Sequence, residues 1–370
     1  MLLEQMTKEQ LSEDIRDGYY HFQEDLEKQP DAWLYVAWSL RGPGKTYSAL
    51  WYMVRNKIPF IYMRRTNIDV KNLCSPLNDF EQSPFKPINR DKGTQIYPVL
   101  ASEGMGGFYE FNSEGEPEGP QLGKIVSFAK FADTKSIDMS EYDFIIMDEF
   151  IPLRGQIVKK AEGDMLLTIY MTARRDRTKR GRKDLKLVLF GNGSEIATPI
   201  TAGLSLIDDL AEMNSRKTLY YYEEERMISY HHVTAGEYPM AKIEDDAGIM
   251  KAMKGTAWAA TELEGEFGYN DFSNVLDMSI KGMRPYLKLK YHKTQTAYIY
   301  YREYDGMYYM TTSGTNQKVK VYDLNRENEQ KRFWIEQGVD LRIACIEDRM
   351  KFKKYSMYDL IVNYKRYFTI

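Results

Sequence analysis

A glycine-rich turn set between two apolar runs constrains the fold of this chain more than any other feature. The first run, Trp33–Trp38, is unbroken, which is typical of a strand buried on both faces of a parallel sheet. After the turn, a helical pattern extends from Thr46 to about Asn56, and a second apolar run covers Ile58–Met63. A strand, a turn, a helix and a strand within about thirty residues predict a βαβ unit.

The turn over residues 39–46 matches the P-loop pattern G-x-x-x-x-G-K-[ST], except that Ser39 stands where the pattern has its first glycine. In this pattern the backbone N–H groups of the turn and of the helix N-terminus hold phosphate groups. The lysine reaches the β- and γ-phosphates and the hydroxyl ligates Mg²⁺, so we assign these roles to Lys45 and Thr46. The residues predicted to bind the nucleotide are Ser39, Leu40, Arg41, Gly42, Pro43, Gly44, Lys45, Thr46 and Tyr47.

A second motif lies where the apolar run Phe144–Met147 leads into Asp148-Glu149. This is the Walker B pattern, in which the aspartate holds the Mg²⁺ shell through water and the glutamate activates the attacking water as a general base. By itself the pattern is equally compatible with a buried strand that ends in two solvated acids. The P-loop upstream favours the functional interpretation, and Glu149 favours ATP hydrolysis over transfer of a phosphoryl group to a metabolite.

Two further side chains are candidates for contact with the γ-phosphate. Asn192 follows the apolar run Leu185–Phe190, at the position where many P-loop ATPases sense this phosphate. Arg41 lies inside the P-loop and is either a γ-phosphate contact or an ordinary surface arginine. The sequence contains no N/T-K-x-D motif of the kind that recognises guanine, so we expect ATP rather than GTP as the nucleotide.

Residues 173–183 form a strongly basic segment between a predicted helix and the next strand. One interpretation is a solvated surface. The other is that one arginine reaches the γ-phosphate of a neighbouring subunit as an arginine finger, while the remaining cations contact DNA phosphates. A net charge of −3 argues against a protein that coats nucleic acid through bulk charge, but it does not exclude a local basic site.

The remaining composition is that of a globular chain, with 370 residues of which 43% are hydrophobic. No uninterrupted apolar stretch reaches the ~18 residues of a membrane helix, and the N-terminal residues are too rich in charge for a signal peptide. The two cysteines, Cys74 and Cys345, rule out a disulfide scaffold. We therefore expect a cytoplasmic protein without a membrane partner.

The pattern along the chain predicts two domains and a connecting region. Residues 1–205 are expected to form the nucleotide-binding α/β domain, which opens with an amphipathic helix over about 7–28. Residues 206–265 are predicted to be a helical linker, and residues 266–370 a smaller α+β domain that ends in helices. The strands predicted in this smaller domain are the tyrosine-rich segments 286–292, 296–303 and 307–312, with one more considered at 341–346.

The chain resembles the DNA encapsidation ATPases of phi29-like small tailed phages in three strings, Arg41–Tyr47, Phe60–Arg65 and Met147–Ile151, which occur in the same order and spacing. The resemblance covers most of residues 1–200 and is faint but traceable at Lys351–Lys354. It implies an additional-strand (ASCE-type) P-loop NTPase domain. It also implies a second domain that resembles a vestigial RNase H-like nuclease without its catalytic acids.

The resemblance implies a function and a set of partners. The family hydrolyses ATP with Mg²⁺ to drive double-stranded DNA into a preformed capsid. Its identical subunits act as a ring, expected to have five members, on the portal of the capsid. Such a motor works in the host cytoplasm while transiently attached to the viral procapsid, and the participation of a packaging RNA is left open.

The resemblance also adds residues to the candidate site. By position, Arg175 matches an arginine that acts in trans, with Arg174 and Arg177 as alternatives because insertions surround the basic segment. Lys135 matches a second basic residue proposed to act in trans. The P-loop and Walker B residues keep the roles derived above.

Two other functions stay open at this point. One is a terminase large subunit that also cuts DNA, which requires clustered carboxylates for two metal ions; the strand over 286–292 offers none. On that strand Lys288, Lys290 and His292 alternate, so they would share a face that either contacts phosphates or is simply exposed. The other function is a nucleotide-gated assembly protein that binds ATP without DNA-dependent turnover.

Overall fold

The computed structural model describes residues 2–7, 18–76, 80–133, 139–153, 155–156, 158–175, 177–241 and 248–368. The chain forms two compact units, each assembled from two segments. The first unit contains Met1–Ile200 and Arg216–Tyr269, and the second contains Thr201–Ser215 and Asn270–Ile370.

Within the described residues, the first unit contains a nine-stranded sheet of order β3-β4-β5-β2-β6-β7-β1-β9-β8. The six strands from β5 to β9 in this order are parallel, and antiparallel strands lie at both edges. The strands are β1 (Leu34–Ser39), β2 (Phe60–Arg64), β3 (Ile96–Ser102), β4 (Met105–Phe111), β5 (Pro117–Ser127), β6 (Phe144–Asp148), β7 (Lys186–Asn192), β8 (Tyr220–Glu223) and β9 (Ile228–Val233).

The helices lie between these strands and beyond them. The described α-helices are α1 (Phe22–Lys28), α2 (Lys45–Arg55), α3 (Asn67–Leu73), α4 (Lys86–Lys92), α5 (Phe128–Asp133), α6 (Glu162–Arg174), α7 (Pro199–Gly203), α8 (Ile207–Arg216), α9 (Gly248–Met253), α10 (Ala257–Glu262), α11 (Glu327–Phe333), α12 (Val339–Ile346), α13 (Tyr355–Val362) and α14 (Tyr364–Tyr367). A π-helical turn, Trp334–Gly338, joins α11 to α12. In the described part of the chain, no helix combines the length and apolar character needed to cross a membrane.

The central strands explain why this sequence folds into a parallel sheet. All six residues of β1 are buried, as are the first four of β6, because helices cover both faces of a parallel sheet and favour unbroken apolar runs. Strand β7 pairs in parallel with β1 on one side and with β6 on the other. The strand that enters the P-loop is therefore separated by one strand from the strand that ends in Asp148. The predicted parallel α/β sheet is confirmed.

The N-terminal segment differs from the predicted helix over 7–28. Residues 8–17 lie outside the described part of the chain, and the described helix α1 begins only at Phe22. Ahead of it, Gly18 has a φ of +86°, and the backbone N–H of Tyr20 donates to the carbonyl of Pro43 at 2.9 Å. The continuous helix is therefore wrong over 18–21, where the backbone bonds to the P-loop instead.

The helical interpretation of residues 206–265 is wrong for β8 and β9. Strand β9 pairs in parallel with β1 and is buried along its whole length. The sequence does not resemble that of a buried strand, because Ser229, His231 and His232 are polar although they are buried. The domain boundaries at 205 and 265 stay a prediction.

The described part of the second unit contains a five-stranded sheet of order β13-β10-β11-β12-β14. Its tyrosine-rich antiparallel strands are confirmed, and helices α11 to α13 contribute to the core on one face. The strand considered at 341–346 is wrong, since helix α12 covers it and the strand follows at β14. The strands are β10 (Arg284–Tyr291), β11 (Gln295–Arg302), β12 (Met307–Thr311), β13 (Lys320–Asp323) and β14 (Met350–Phe352).

The predicted alternation of three cations on β10 holds for two of them. Lys288 and Lys290 lie two residues apart on the strand, and the Nζ of Lys288 is 5.1 Å from the ring centroid of Tyr298. His292 follows the last residue of the strand and has a φ of +45°. It therefore does not continue the alternation.

Candidate nucleotide site

The P-loop turns sharply between β1 and α2. Gly42 and Gly44 have φ angles of +92° and +90°, a backbone region that glycine adopts without strain. Gly44 is the N-cap of α2, so the first backbone N–H groups of the helix face the turn. This arrangement is suited to binding an anion.

A cleft of about 460 Å³ opens at this turn. Ser39 and Leu40 do not line it, because both are fully buried beneath the turn. The predicted site residues that do line the cleft are Arg41, Gly42, Pro43, Gly44, Lys45, Thr46, Tyr47, Asp148, Glu149 and Asn192.

Lys45 and Ser39 form a buried pair at the base of the cleft. The Nζ of Lys45 donates a hydrogen bond to the Oγ of Ser39, which itself donates to the carbonyl of Leu40. Burial lowers the pKa of Lys45 to about 8, and the negative charge of Asp148 opposes this shift. The serine that replaces the first glycine of the motif is thus a partner for the lysine.

Thr46, Tyr62 and Asp148 bring three oxygens together beside Lys45. The Oγ1 of Thr46 donates to the Oδ2 of Asp148 at 2.9 Å, and the hydroxyl of Tyr62 donates to the same oxygen at 3.1 Å. Burial and then the charge of Asp148 raise the pKa of Tyr62 well above its usual value, so the phenol stays protonated as a donor. Hydroxyl and carboxylate oxygens are the ligands that Mg²⁺ prefers, so this set fits the metal.

Glu149 occupies an unusual backbone position at the end of β6. Its φ is +57°, in the left-handed region, and its N–H donates to the Oδ1 of Asp148 at 3.0 Å. Its side chain is 59% exposed and pairs with Arg64, whose Nη2 lies 3.0 Å from the Oε2 of Glu149. Such strain in a non-glycine residue persists only where surrounding contacts hold it, and it is common at functional sites.

Arg64 is the last residue of β2, and it and the following Arg65 together hold the turn after β6. Arg65 donates to the carbonyls of Glu149 and Phe150 at 3.2 and 2.9 Å and pairs with Glu162. The two arginines follow directly on the apolar run Ile58–Met63, but nothing in the sequence indicated their partners. The missing information is that β2 and β6 are neighbours in the sheet.

Arg41 pairs with a segment far along the chain. Its Nε lies 2.8 Å from the Oε2 of Glu262, and its side chain is 58% exposed. Nearby, Gly265 approaches the backbone of the P-loop so closely that a Cβ at this position would lie 2.4 Å from the N of Leu40. No motif predicted these contacts, since Glu262 and Gly265 both fall in the region predicted as linker.

Asn192 ends β7 next to the P-loop. It is the register partner of Ser39 in the parallel pairing of β7 with β1, and it is half-buried in the wall of the cleft. Its placement beside the turn is compatible with the predicted contact to the γ-phosphate.

Arg177 in the basic segment is fully buried and acts as a structural residue. Its guanidinium donates to the carbonyls of Ser140, Tyr142 and Lys183 and to the carboxylate of Asp143. A buried arginine with these partners cannot reach a neighbouring subunit. Arg177 as an alternative for the trans-acting arginine is therefore wrong.

The other arginines of the segment divide into two groups. Arg180 donates to the Oγ of Ser140 at 2.9 Å, and Arg182 donates to the carbonyls of Ser140 and Glu141, so both bind the loop that precedes β6. Arg175 caps the C-terminus of α6, is exposed and does not line the cleft. Arg174 lies beside it, with its Nη2 3.4 Å from Asp184. Lys135 lies outside the described residues.

Comparison with known proteins identifies solved structures with a similar fold. No protein-family model and no curated protein matches the sequence. The phi28 gp11 DNA packaging motor is 16% identical to this chain, covers 95% of it and 98% of its own length, and superposes with a TM-score of 0.59. The bacteriophage phi29 viral genome packaging motor assembly is 15% identical, covers 94% of this chain and 99% of its own, with a TM-score of 0.58.

The chain has the fold of phage DNA packaging motors. The resemblance read from three short strings is thereby confirmed for the fold, and it extends over both compact units. At 15–16% identity the likeness concerns the fold, and the chemistry of the site depends on the residues of this chain.

Proposed function

We propose that this chain is an ATP-hydrolysing motor that moves double-stranded viral DNA into a preformed phage capsid. The observation that carries the proposal is the contact of Thr46 with Asp148 beside the buried Lys45. This contact joins the P-loop to the Walker B strand in a chain with the fold of the phi28 and phi29 packaging motors. Subunits would act as a ring, expected to have five members, on the capsid portal.

The finer fold classes belong to the same proposal. The position of β7 between β1 and β6 supports an additional-strand P-loop NTPase for the first unit. The antiparallel strands β10, β11 and β12 support an RNase H-like second unit that lacks nuclease acids. A terminase nuclease is the alternative that a nicking assay tests.

The phosphates of ATP would lie on the turn at the N-terminus of α2. Lys45 would exchange its bond with Ser39 for the β- and γ-phosphate oxygens. Thr46 and Asp148 would hold Mg²⁺, directly and through water. The bound ion would neutralise charge on the phosphate oxygens.

Hydrolysis needs a base and charge stabilisation around the γ-phosphate. Glu149 would accept the proton of the attacking water once its pair with Arg64 opens, because the guanidinium occupies the Oε2 of Glu149 while the pair is formed. Asn192 and Arg41 would contact the γ-phosphate from the wall of the cleft. Arg175 of a neighbouring subunit, or Arg174 beside it, would complete the site in trans, with Lys135 as a second cation.

The partners follow from this activity. They are duplex DNA, identical subunits and the portal, with a packaging RNA left open. The motor would work in the host cytoplasm, attached transiently to the procapsid. A net charge of −3 suits a protein that must release the DNA it moves.

The test is steady-state ATP hydrolysis with and without linear duplex DNA, over a range of protein concentrations. Glu149→Gln should abolish turnover while retaining ATP binding, whereas Glu141→Gln, an exposed glutamate ahead of β6, should match the wild type. A site completed in trans predicts a rate that rises more steeply than linearly with protein. ATP binding without turnover at any concentration would favour the nucleotide-gated assembly protein instead.

A further inference from the structure

The cleft extends beyond the residues predicted to bind phosphate and Mg²⁺. The predicted phosphate contacts and Mg²⁺ ligands come from the P-loop and from the ends of β6 and β7. The same cleft is also lined by Tyr19 and by three residues of α4, Pro87, Arg90 and Asp91. Neither segment belongs to a nucleotide motif, and both contribute side chains able to bind a nucleoside.

We infer that Tyr19, Tyr47 and α4 form the nucleoside subsite, in which aromatic and guanidinium faces stack on the base and the Asp91 carboxylate accepts hydrogen bonds from the ribose hydroxyls. The inference rests on the proposed ATP site and deepens it. It assigns a binding role to α4, a helix that the sequence did not mark as functional.

The orientation of the nucleotide supports this assignment. The γ-phosphate must point toward Asp148 and Glu149, because the metal ligands and the base lie there. The nucleoside then leaves the P-loop past Tyr47, which follows Thr46 in the first turn of α2. Helix α4 packs against α2, and the Nζ of Lys92 lies 5.3 Å from the ring centroid of Trp51 on α2.

Arg90 and Asp91 have the geometry of a nucleoside clamp. The Nε of Arg90 donates to the Oδ1 of Asp91 at 3.0 Å, so the carboxylate fixes the plane of the guanidinium. The Arg90 side chain is 72% exposed and Asp91 only 11%, so the arginine projects while the carboxylate stays close to the wall. Planar guanidinium groups stack on aromatic rings, and carboxylates bind ribose hydroxyls in dinucleotide-binding folds.

Tyr19 approaches from a separate part of the chain. A Cβ placed on Gly44 would lie 3.6 Å from the Cδ1 of Tyr19, which puts the tyrosine ring against the P-loop. The hydrogen bond from Tyr20 N–H to the Pro43 carbonyl fixes this position. The ring face is therefore held at the edge of the cleft before any nucleotide binds.

The experiment measures binding of three magnesium complexes to the full chain by calorimetry: ATP, 2′,3′-dideoxy-ATP and tripolyphosphate. The variants are Asp91→Ala, Tyr19→Ala and Tyr19→Phe, with Lys86→Ala on the exposed side of α4 as the control. Glu149→Gln serves as a common background to prevent turnover. Thermal unfolding of each variant records any loss of stability.

Asp91→Ala should weaken ATP binding about tenfold and leave binding of tripolyphosphate unchanged. The wild type should prefer ATP over the dideoxy analogue, and this preference should vanish in Asp91→Ala. Tyr19→Ala should weaken both nucleotides but not tripolyphosphate, and Tyr19→Phe should restore them.

Equal affinity of the wild type for ATP and tripolyphosphate, with no effect of Asp91→Ala or Tyr19→Ala, would overturn the nucleoside subsite while leaving the phosphate site intact. Equal losses for all three ligands would also overturn it, since a general disturbance of the cleft would then explain them. Failure of the wild type to bind any of the three would instead refute the proposed ATP site itself.

Discussion

The guanidinium of Arg64 lies 3.0 Å from the carboxylate of Glu149, so the end of β2 holds the residue that directly follows β6. A second nitrogen of the same guanidinium lies 4.0 Å from Asp148. One cation thus contacts both acids of the Walker B motif. The pair connects the state of β2 to the proton acceptor of the proposed reaction.

Removing this cation should release Glu149. We expect Arg64→Ala to raise ATP turnover without DNA and to reduce the stimulation that DNA gives. In this variant Glu149 can accept a proton without first breaking its ion pair with Arg64. Arg64→Lys retains a positive charge and should keep most of the stimulation. A variant that hydrolyses ATP at the wild-type rate in both conditions would contradict a controlling role for the pair.

The affinity for ATP should fall as pH rises through 8. Burial lowers the pKa of Lys45 to about 8, so the ammonium that binds phosphate is mostly charged at pH 7 and mostly neutral at pH 9. We expect MgATP to bind about tenfold more weakly at pH 9. Lys45→Arg keeps its charge and should flatten the profile, whatever its absolute affinity. A flat wild-type profile would refute the lowered pKa.

Ser39→Ala tests the serine that replaces the first glycine of the motif. The substitution removes the hydrogen-bond acceptor of the buried Lys45, so the nucleotide-free protein should lose about 1–2 kcal/mol of unfolding free energy. ATP should bind more tightly, because its phosphates no longer compete with the serine for the ammonium. Calorimetry and thermal unfolding with and without MgATP measure both effects, and weaker ATP binding would contradict the competition.

Substitution of two arginines in the basic segment should affect the free energy of unfolding very differently. Arg177→Met removes a buried cation from its carbonyl and carboxylate partners and should lower the unfolding free energy by about 3–5 kcal/mol. Arg175→Ala is an exposed change and should alter stability by less than about 0.5 kcal/mol. Urea unfolding distinguishes these outcomes, and a stable Arg177→Met protein would refute the structural role.

Arg175→Ala should nevertheless abolish hydrolysis if it acts in trans. Mixing it with Glu149→Gln should restore part of the activity, because a Glu149→Gln subunit can supply Arg175 to the intact base of its neighbour. Arg174→Ala, treated in the same way, is the matched control. Absence of any recovery across mixing ratios would rule out the trans role of Arg175.

His232 should make the protein sensitive to acid. Its ring stacks on Trp38 at 4.9 Å, faces the carbonyl of Gly265, and lies near Lys217, Glu266 and His231. Burial lowers its pKa to about 4, so between pH 6.5 and 4 the unfolded chain binds a proton that the folded chain does not.

Stability should therefore fall by up to about 3 kcal/mol as pH drops through this window. His232→Phe keeps an aromatic ring for Trp38 and should reduce the loss. Chemical denaturation at pH 7 and pH 4.5 measures the difference, and identical acid sensitivity of variant and wild type would contradict the lowered pKa.

The sequence predicted those parts of the fold that are encoded by residues contiguous in the chain. The P-loop is specified by contiguous residues, and β1, β2, β6 and β7 are unbroken apolar runs of the kind that parallel sheets require. Strand β9 was not predicted, because the polar residues Ser229, His231 and His232 occupy buried positions in it. Their burial depends on partners elsewhere in the fold, such as Asp25 for His231.

The same distinction applies to the site. The candidate phosphate and metal contacts follow from motif spacing, whereas the pairs Arg64–Glu149 and Arg41–Glu262 depend on which segments become neighbours in space. Charge alone could not separate Arg177, which is buried, from Arg175, which is exposed. The two arginines differ in the carbonyl and carboxylate partners that the fold brings to Arg177.

The burial of Arg177 also changes what a salt titration of DNA binding would report. Each cation that neutralises a phosphate releases counterions, which steepens the dependence of log K on log salt by about 0.9 per contact on duplex DNA. Arg177 cannot contribute, and Arg180 and Arg182 would first have to leave the loop before β6. If the chain binds DNA as proposed, the basic segment should therefore displace fewer ions than its sequence suggests.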